Sequence, residues 1–168
     1  MRCCRTCCAV YRSGFERCPT DGTVLSPFDA DPVVGTTINQ LYEVEECVGE
    51  GAMGRVYRAH HLRLTQRQVA LKILLGDLAA SMAMRLRFTQ EAKAASRLSH
   101  ANVVPVLDFG RTPQGLLYLA MEYVEGRSLA RIIATEGPLS PARVVRLVRQ
   151  LCLGLGHAHG HGLIHRDF

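Results

Sequence analysis

The spacing of apolar residues changes character along the chain. From Tyr42 to Leu75 they fall in short β-rich runs, Tyr42–Val48, Arg55–His61 and Gln68–Leu74, parted by a glycine-rich turn and a polar one, which predicts an antiparallel meander. From about Ser81 to Leu98 the period lengthens. Phe88, Ala92, Ala95 and Leu98 recur three or four apart, as on an amphipathic helix. Two further strands are expected around Val103–Phe109 and Leu116–Glu122. Pro138-Leu139-Ser140-Pro141 then opens a long helix, with Ser140 as N-cap and Pro141 at the first helical position. Its Val144, Val145, Leu147, Val148, Leu151, Cys152, Leu153 and Leu155 surround most of the circumference, so the helix is expected to be buried on nearly all sides, and Cys152, like Cys47, to be a core residue.

Composition narrows the class. The 168 residues are 48% apolar and 21% charged, close to the globular average, which excludes wholesale disorder, collagen-like and coiled-coil chains. The net charge of +5 is scattered, with no basic run suited to a nucleic-acid tract, and no nucleic-acid partner is expected. No stretch approaches the roughly 18 to 20 apolar residues of a membrane span. Nor does an apolar segment of secretory type follow Met1, so a reducing, cytoplasmic setting is the expectation. Of the 20 basic residues only Lys72 and Lys93 are lysines, which singles each of them out.

Five of the seven cysteines, Cys3, Cys4, Cys7, Cys8 and Cys18, lie in the first 18 residues. A segment of about 25 residues cannot fold on its own core and needs a metal or disulfides. Under reducing conditions metal is the better reading. Cys4-x-x-Cys7 and Cys18-Pro-Thr-Asp21-Gly22 form two knuckles ten residues apart, able to hold a tetrahedral Zn²⁺ through Cys4, Cys7, Cys18 and the Asp21 carboxylate. An unmetallated tail and redox-reactive thiols are the competing readings. Residues 1–24 are thus expected as a small module, residues 25–34, with two prolines, as a linker, and a second domain from residue 35.

In that domain Gly49-Glu-Gly51-Ala-Met-Gly54-Arg-Val56 spells G-x-G-x-x-G-x-V, glycine being needed where backbone passes close over phosphate oxygens. A dinucleotide fold would need a helix after Gly54, but Arg-Val-Tyr-Arg-Ala is β-prone. Sixteen residues beyond Val56, Val69-Ala-Leu-Lys72 sets a lysine in the middle of an apolar strand, where an ammonium is costly without an anion. Glu91 on the following helix is the natural partner.

These motifs, with Leu98-Ser-His100-Ala-Asn102, Leu119-Ala-Met121-Glu122-Tyr-Val124-Glu-Gly126 and Ile164-His165-Arg166-Asp167, identify the chain by resemblance as a eukaryotic-type protein kinase of the bacterial serine/threonine branch, over about 35–168. The resemblance implies an α+β fold. Its small lobe (35–121) would hold a five-stranded antiparallel sheet and one helix, followed by a hinge (122–126) and an incomplete large lobe (127–168). It implies ATP as cosubstrate with Mg²⁺, a protein substrate, Lys72 on the α- and β-phosphates held by Glu91, and Val48 to Gly54 over the nucleotide: Val48, Gly49, Glu50, Gly51, Ala52, Met53 and Gly54. Val56 and Ala70 would line the adenine slot, Met121 would stand behind it, and backbone groups of Glu122 and Val124 would meet the base edge. Asp167 would orient the substrate hydroxyl, and Arg166 would receive a phosphorylated activation loop. His165 would brace the catalytic-loop backbone.

The cysteine segment resembles the zinc-ribbon-like pieces that precede some such kinases, with a C-P-x-D-G ending and a tyrosine, here Tyr11, after the first knuckle. That resemblance favours Cys4 and Cys7 over Cys3 and Cys8, because Cys8 then stands where the pattern has glycine. Asp108-Phe109-Gly110 spells the metal-binding D-F-G but lies 57 residues before His165, on the wrong side of the catalytic loop, and is expected to be a strand end. His157, His159 and His161 are expected to be structural or solvent-facing. The asparagine of H-R-D-x-x-x-x-N would fall at position 172, past Phe168, with the functional D-F-G and the Ser/Thr-diagnostic lysine. The 168 residues are therefore expected to lack phosphotransfer activity alone and to expose the apolar flank of the helix from Ser140. The competing function is a catalytically dead nucleotide-binding or interaction module that docks partners through the ribbon.

Overall fold

The computed structural model describes residues 1–12, 14–64 and 67–164. Three two-residue strands come first: β1 (Arg2–Cys3), β2 (Val10–Tyr11) and β3 (Ser26–Pro27), a small antiparallel sheet in the order β2-β1-β3. There follow β4 (Thr37–Ile38), β5 (Tyr42–Glu50), β6 (Gly54–His61) and β7 (Arg67–Leu74), then helices α1 (Gly76–Ala79) and α2 (Met82–Ala95). The strands β8 (Val106–Arg111) and β9 (Leu117–Glu122) and the helices α3 (Leu129–Glu136) and α4 (Pro141–Gly160) complete the order. The larger sheet is antiparallel throughout, β4-β5-β6-β7-β9-β8. All five expected strands form. The sixth, β4, is too short to carry an alternating pattern.

Helix starts follow local chemistry. Ser81, Ser128 and Ser140 each lie in extended backbone, and each hydroxyl accepts the amide three residues on, from Met84, Arg131 and Arg143. The helix α3 went unread in the sequence, although Ser128 caps it and Gly137, at φ 80°, ends it.

Register separates the two faces of the larger sheet. Opposed residues of antiparallel strands share a face. Tyr57 pairs with Leu71 and Leu71 with Ala120, and Ala59 pairs with Val69. All five are buried. Their neighbours Val56, Ala70, Lys72, Leu119 and Met121 form the other face through the pairs Val56–Lys72, Lys72–Leu119 and Ala70–Met121, and all are only half-buried. The first face is covered by the cysteine-rich module. One continuous core runs from Cys4, Cys7, Tyr11 and Cys18 to Tyr57, Leu71 and Tyr118.

Residues 25–34, a linker by composition, are anchored at both ends by buried Leu25 and Val33. Asp31 also accepts from Arg55 Nη1 at 2.5 Å and from the Tyr57 hydroxyl at 3.3 Å. Glycines mark where the module abuts the lobe. A Cβ on Gly76 would stand 2.4 Å from the Tyr11 ring, and one on Gly115 would stand 2.9 Å from Thr20 Cγ2.

The helix α4 carries the exposed apolar flank expected of it and corrects the reading of Cys152. Its buried residues are Gly154 and Ala158 alone, four apart on one stripe, and a Cβ on Gly154 would meet the Asn102 carbonyl at 2.8 Å. Cys152 lies off that stripe and is exposed, not a core residue; Val145, Val148 and Leu153 are exposed with it. An all-round apolar helix needs cover on every side, and the described residues cover one.

Candidate nucleotide-binding site and metal centre

The glycine-rich segment is the hairpin between β5 and β6. Pairing runs Gly49–Val56 and Glu50–Arg55, which leaves Gly51, Ala52 and Met53 at the exposed tip. The Gly51 amide donates to the Gly54 carbonyl at 2.9 Å, and the Leu75 amide donates to the Met53 carbonyl at 3.1 Å. Val48 is the extra residue where register shifts between Cys47 and Gly49, a bulge of the kind that re-aims a side chain, and it is 46% exposed. The glycines differ in purpose. A Cβ on Gly49 would meet nothing within 4 Å, whereas one on Gly54 would stand 2.2 Å from the Ile73 carbonyl. Gly54 is thus demanded by the adjacent strand β7, not by a ligand.

Beneath this hairpin Lys72 stands at the centre of the half-open face, opposite Val56 on one side and Leu119 on the other, with Ala70 and Met121 paired beside it. Lys72 and Glu91 line one cavity of about 480 Å³ with Met53, Phe88, Leu119 and Ile164. They do not form the expected ion pair: none within 4.0 Å joins them among the described residues. Glu91 is solvent-exposed, and an exposed pair gains only about 0–1 kcal/mol, too little to draw α2 inward. In the hinge, the Glu122 amide is engaged by the Pro105 carbonyl at 3.1 Å, and Val124 is exposed. Ile164 brings the chain to the edge of the Lys72 cavity. His165, Arg166 and Asp167 lie outside the described residues.

Asp108 sits on the covered face of the sheet, paired with Ala120, and accepts from the Tyr118 hydroxyl at 2.9 Å and the Tyr42 hydroxyl at 3.1 Å. Burial first, and Asp108 next, push the Tyr42 phenol up, so it remains a donor. His157 stacks on His100 at 5.2 Å and lies 4.5 Å from His161. Residues 157 and 161 share a helix face at i,i+4, while His159 is exposed.

The two knuckles close on each other. The ligand atoms of Cys4, Cys7, Cys18 and Asp21 all lie within 4.8 Å of one another. Cys7 Sγ is 3.5 Å from Cys18 Sγ, and the Cys4 thiol donates to Asp21 Oδ2 at 3.2 Å. Four ligands about a zinc with Zn–S near 2.3 Å stand about 3.8 Å apart, so these residues fit the ion with shifts of no more than about 1 Å. Burial raises the Cys7 and Cys4 thiols by penalising their thiolates, and a bound Zn²⁺ would supply the positive charge that offsets this penalty and deprotonates them. At Cys18 burial is outweighed by donors, the Tyr11 hydroxyl at 3.2 Å and the amides of Thr20 and Asp21, and its thiol is lowered. Asp21, against a desolvation penalty, is held well below the usual carboxylate range by the Thr23 amide and hydroxyl and by the Cys4 and Cys7 thiols. Cys8 takes φ 61°, the left-handed conformation that favours glycine. Sequence reading missed Arg12, whose Nη2 donates to the Gly51 carbonyl at 2.6 Å, and Arg55, which Asp31 and the Phe28 ring (4.9 Å) enclose. Only their position beside the knuckle and the glycine-rich hairpin could have flagged them.

Comparison with known proteins agrees with this geometry. The protein kinase domain family matches residues 42–168. Serine/threonine-protein kinase Pkn3 of Myxococcus xanthus is 50% identical over 139 residues, 83% of this chain and 25% of that protein. PknB of Mycolicibacterium smegmatis is 43% identical over 133 residues, 77% of this chain and 21% of that protein. The chain thus spans about a quarter of the length of these relatives. Among solved structures, the kinase domain of Mycobacterium tuberculosis PknI superposes with TM-score 0.68 at 35% identity, covering 80% of this chain and 54% of that one. No helix among the described residues is long and apolar enough to cross a membrane. With the small-lobe sheet, the glycine-rich hairpin over Lys72 and this family match across three-quarters of its length, the chain belongs to the protein kinase family, alongside bacterial serine/threonine kinases.

Proposed function

We propose that these residues form the ATP-holding half of a serine/threonine protein kinase, which transfers the γ-phosphoryl group of ATP to a protein hydroxyl. The observation that carries this reading is Lys72 on the half-open face, in register with Val56 and Leu119 and under the hairpin tip. In this reading Lys72 binds the α- and β-phosphates, Val56 and Ala70 flank the adenine, Met121 stands behind it, and Glu122 and Val124 meet its edge through their backbone. Glu91 approaches Lys72 by movement of α2 when nucleotide is bound. Asp167 orients the substrate hydroxyl and Arg166 answers a phosphorylated loop. The serine/threonine preference is drawn from the names of the similar kinases. Mg²⁺ neutralises phosphate charge when bound with the nucleotide; the asparagine and D-F-G aspartate that hold it in this family are not among the 168 residues. Cys4, Cys7, Cys18 and Asp21 hold a structural Zn²⁺ in a reducing, cytoplasmic setting where thiols stay available.

A fluorescent ATP analogue titrated against the 168-residue polypeptide tests the reading. Saturable binding is expected, weakened at least about tenfold by Lys72→Met, with no phosphotransfer to a generic protein substrate. Equal binding by wild type and Lys72→Met would overturn the nucleotide site, and magnesium-dependent turnover that Lys72→Met abolishes would overturn the claim that these residues alone are inactive.

A further inference from the structure

The cysteine-rich module touches the kinase lobe at the element that must hold phosphates. Arg12 follows the second strand of the module directly. Its guanidinium donates to the Gly51 carbonyl at 2.6 Å and stands 3.6 Å from the Glu50 carboxylate, so it grips the tip of the glycine-rich hairpin and the strand leading into it. From there charges alternate inward. Glu50 is 3.4 Å from Arg55 Nε, and Arg55 is 2.5 Å from Asp31 of the connecting segment. A second route runs through apolar contact: Cys3, Val10 and Phe28 pack on Leu75, whose amide holds the Met53 carbonyl at 3.1 Å. Three residues of the tip region, Glu50, Gly51 and Met53, are therefore tied to the module or to a residue buried against it.

The peptide bond gives this grip a direction. The Gly51 carbonyl and the Ala52 amide belong to one planar trans unit and point opposite ways. With the carbonyl held by Arg12, the Ala52 N–H is aimed away from the module. The Gly51 amide is held within the hairpin by the Gly54 carbonyl at 2.9 Å, so on the carbonyl side of Gly51 Arg12 is the hold that comes from outside the lid.

We infer that Arg12 is a positioning residue for the nucleotide lid: the metal-organised ribbon acts as a clamp that orders the Gly51–Gly54 tip and so strengthens adenine-nucleotide binding, with the strength of the clamp set by whether the ribbon is folded around its metal. The inference rests on the nucleotide reading above for its functional consequence, and on the contacts alone for the clamp. A lid ordered beforehand loses less freedom on binding, which is the source of the gain. By linkage, nucleotide binding in turn favours the folded ribbon.

Amide hydrogen exchange of residues 50–54 and titration with a fluorescent ATP analogue, on the 168-residue chain with zinc, test both parts. Arg12→Ala is expected to speed lid exchange and weaken nucleotide binding about fivefold, the order of one partly exposed charge-assisted hydrogen bond. Arg12→Lys, still able to donate to the carbonyl, should recover part of both effects. Chelating the zinc should speed lid exchange in wild type at least as much as Arg12→Ala does. Arg5→Ala, which removes a ribbon pair with Asp29 away from the lid, should change neither readout. Unchanged lid exchange in Arg12→Ala, with zinc content intact, overturns the clamp. Faster lid exchange in a wild-type-like fold that binds no nucleotide upholds the clamp and overturns the nucleotide site.

Discussion

The two faces of the small-lobe sheet are built from alternate residues of the same strands, yet they have opposite fates. Leu71 is fully buried, while its neighbour Lys72 faces a cavity. Tyr57 lies in the continuous core and its neighbour Val56 beside the lysine. What separates them is the cover on each side. One face is sealed by a module whose own core is four thiols with Ala9, Val10 and Tyr11; the other is left half-open around Lys72. A sheet with one sealed face can keep the other open without losing its fold, so stability and function should respond to different residues only one position apart.

The largest test of that division is to remove the cover. Cys18→Ser, or a chelator strong enough to strip zinc, should unfold the ribbon and expose Tyr57, Leu71 and Val69. The expected loss is at least ~3 kcal/mol, a fraction of the roughly 10–16 kcal/mol with which zinc-finger peptides bind structural zinc. Stoichiometric metal in the purified protein and the denaturant midpoint with and without chelator check it. An unchanged midpoint would mean that the ribbon covers the sheet without supporting it.

Next comes the pair of neighbours. Leu71→Ala should cost about 2–5 kcal/mol, because it hollows the sealed face. Nucleotide affinity below the melting transition should stay put. Lys72→Met should do the reverse, moving the midpoint by less than about 1 kcal/mol, as a half-exposed surface position does. Denaturant melts and nucleotide titrations on both variants give the comparison. If Leu71→Ala weakened nucleotide binding as much as Lys72→Met does, the faces would not be functionally separate.

How much of this was legible beforehand depends on range. Alternation in Arg55–His61 and Gln68–Leu74 reported strands because burial on one face imposes period two, and Ser81, Ser140 and Pro141 reported helix starts because caps act within three residues. Knuckle spacing alone leaves Cys3 and Cys8 open beside Cys4 and Cys7; the resemblance to zinc-ribbon-like segments selects Cys4, Cys7, Cys18 and Asp21, and those four groups do converge. What could not be read was which surface the ribbon would choose. Tyr11 against Gly76, Arg12 on Gly51 and Asp31 on Arg55 are contacts between segments far apart in the chain, with no local pattern to announce them. The same holds for Cys152: periodicity reports that a helix is apolar all round, not which side finds a partner. The missing Lys72–Glu91 pair is a third case, since motif spacing shows that two residues can meet and leaves the position of α2 unstated.

The smallest effect concerns Asp108, where local sequence points to the wrong face. Its D-F-G spelling suggests a metal ligand, but its place in β8 puts it beside Ala120 and under the hydroxyls of Tyr42 and Tyr118, on the sealed side of the sheet, across from Lys72. There the carboxylate gathers two phenol donors, with Asn39 Nδ2 donating in turn to the Tyr118 oxygen at 3.0 Å. Both hydroxyls meet the same oxygen, Oδ2, so Asp108→Asn keeps the shape and can keep a carbonyl acceptor for the pair, but it removes the negative charge that strengthens both bonds. The expected cost is about 1 kcal/mol, one half-buried hydrogen bond. Nucleotide affinity, with or without magnesium, should match wild type. A drop in magnesium-dependent nucleotide binding without a matching loss of stability would put Asp108 on the ligand side and break the assignment of faces at its outermost strand.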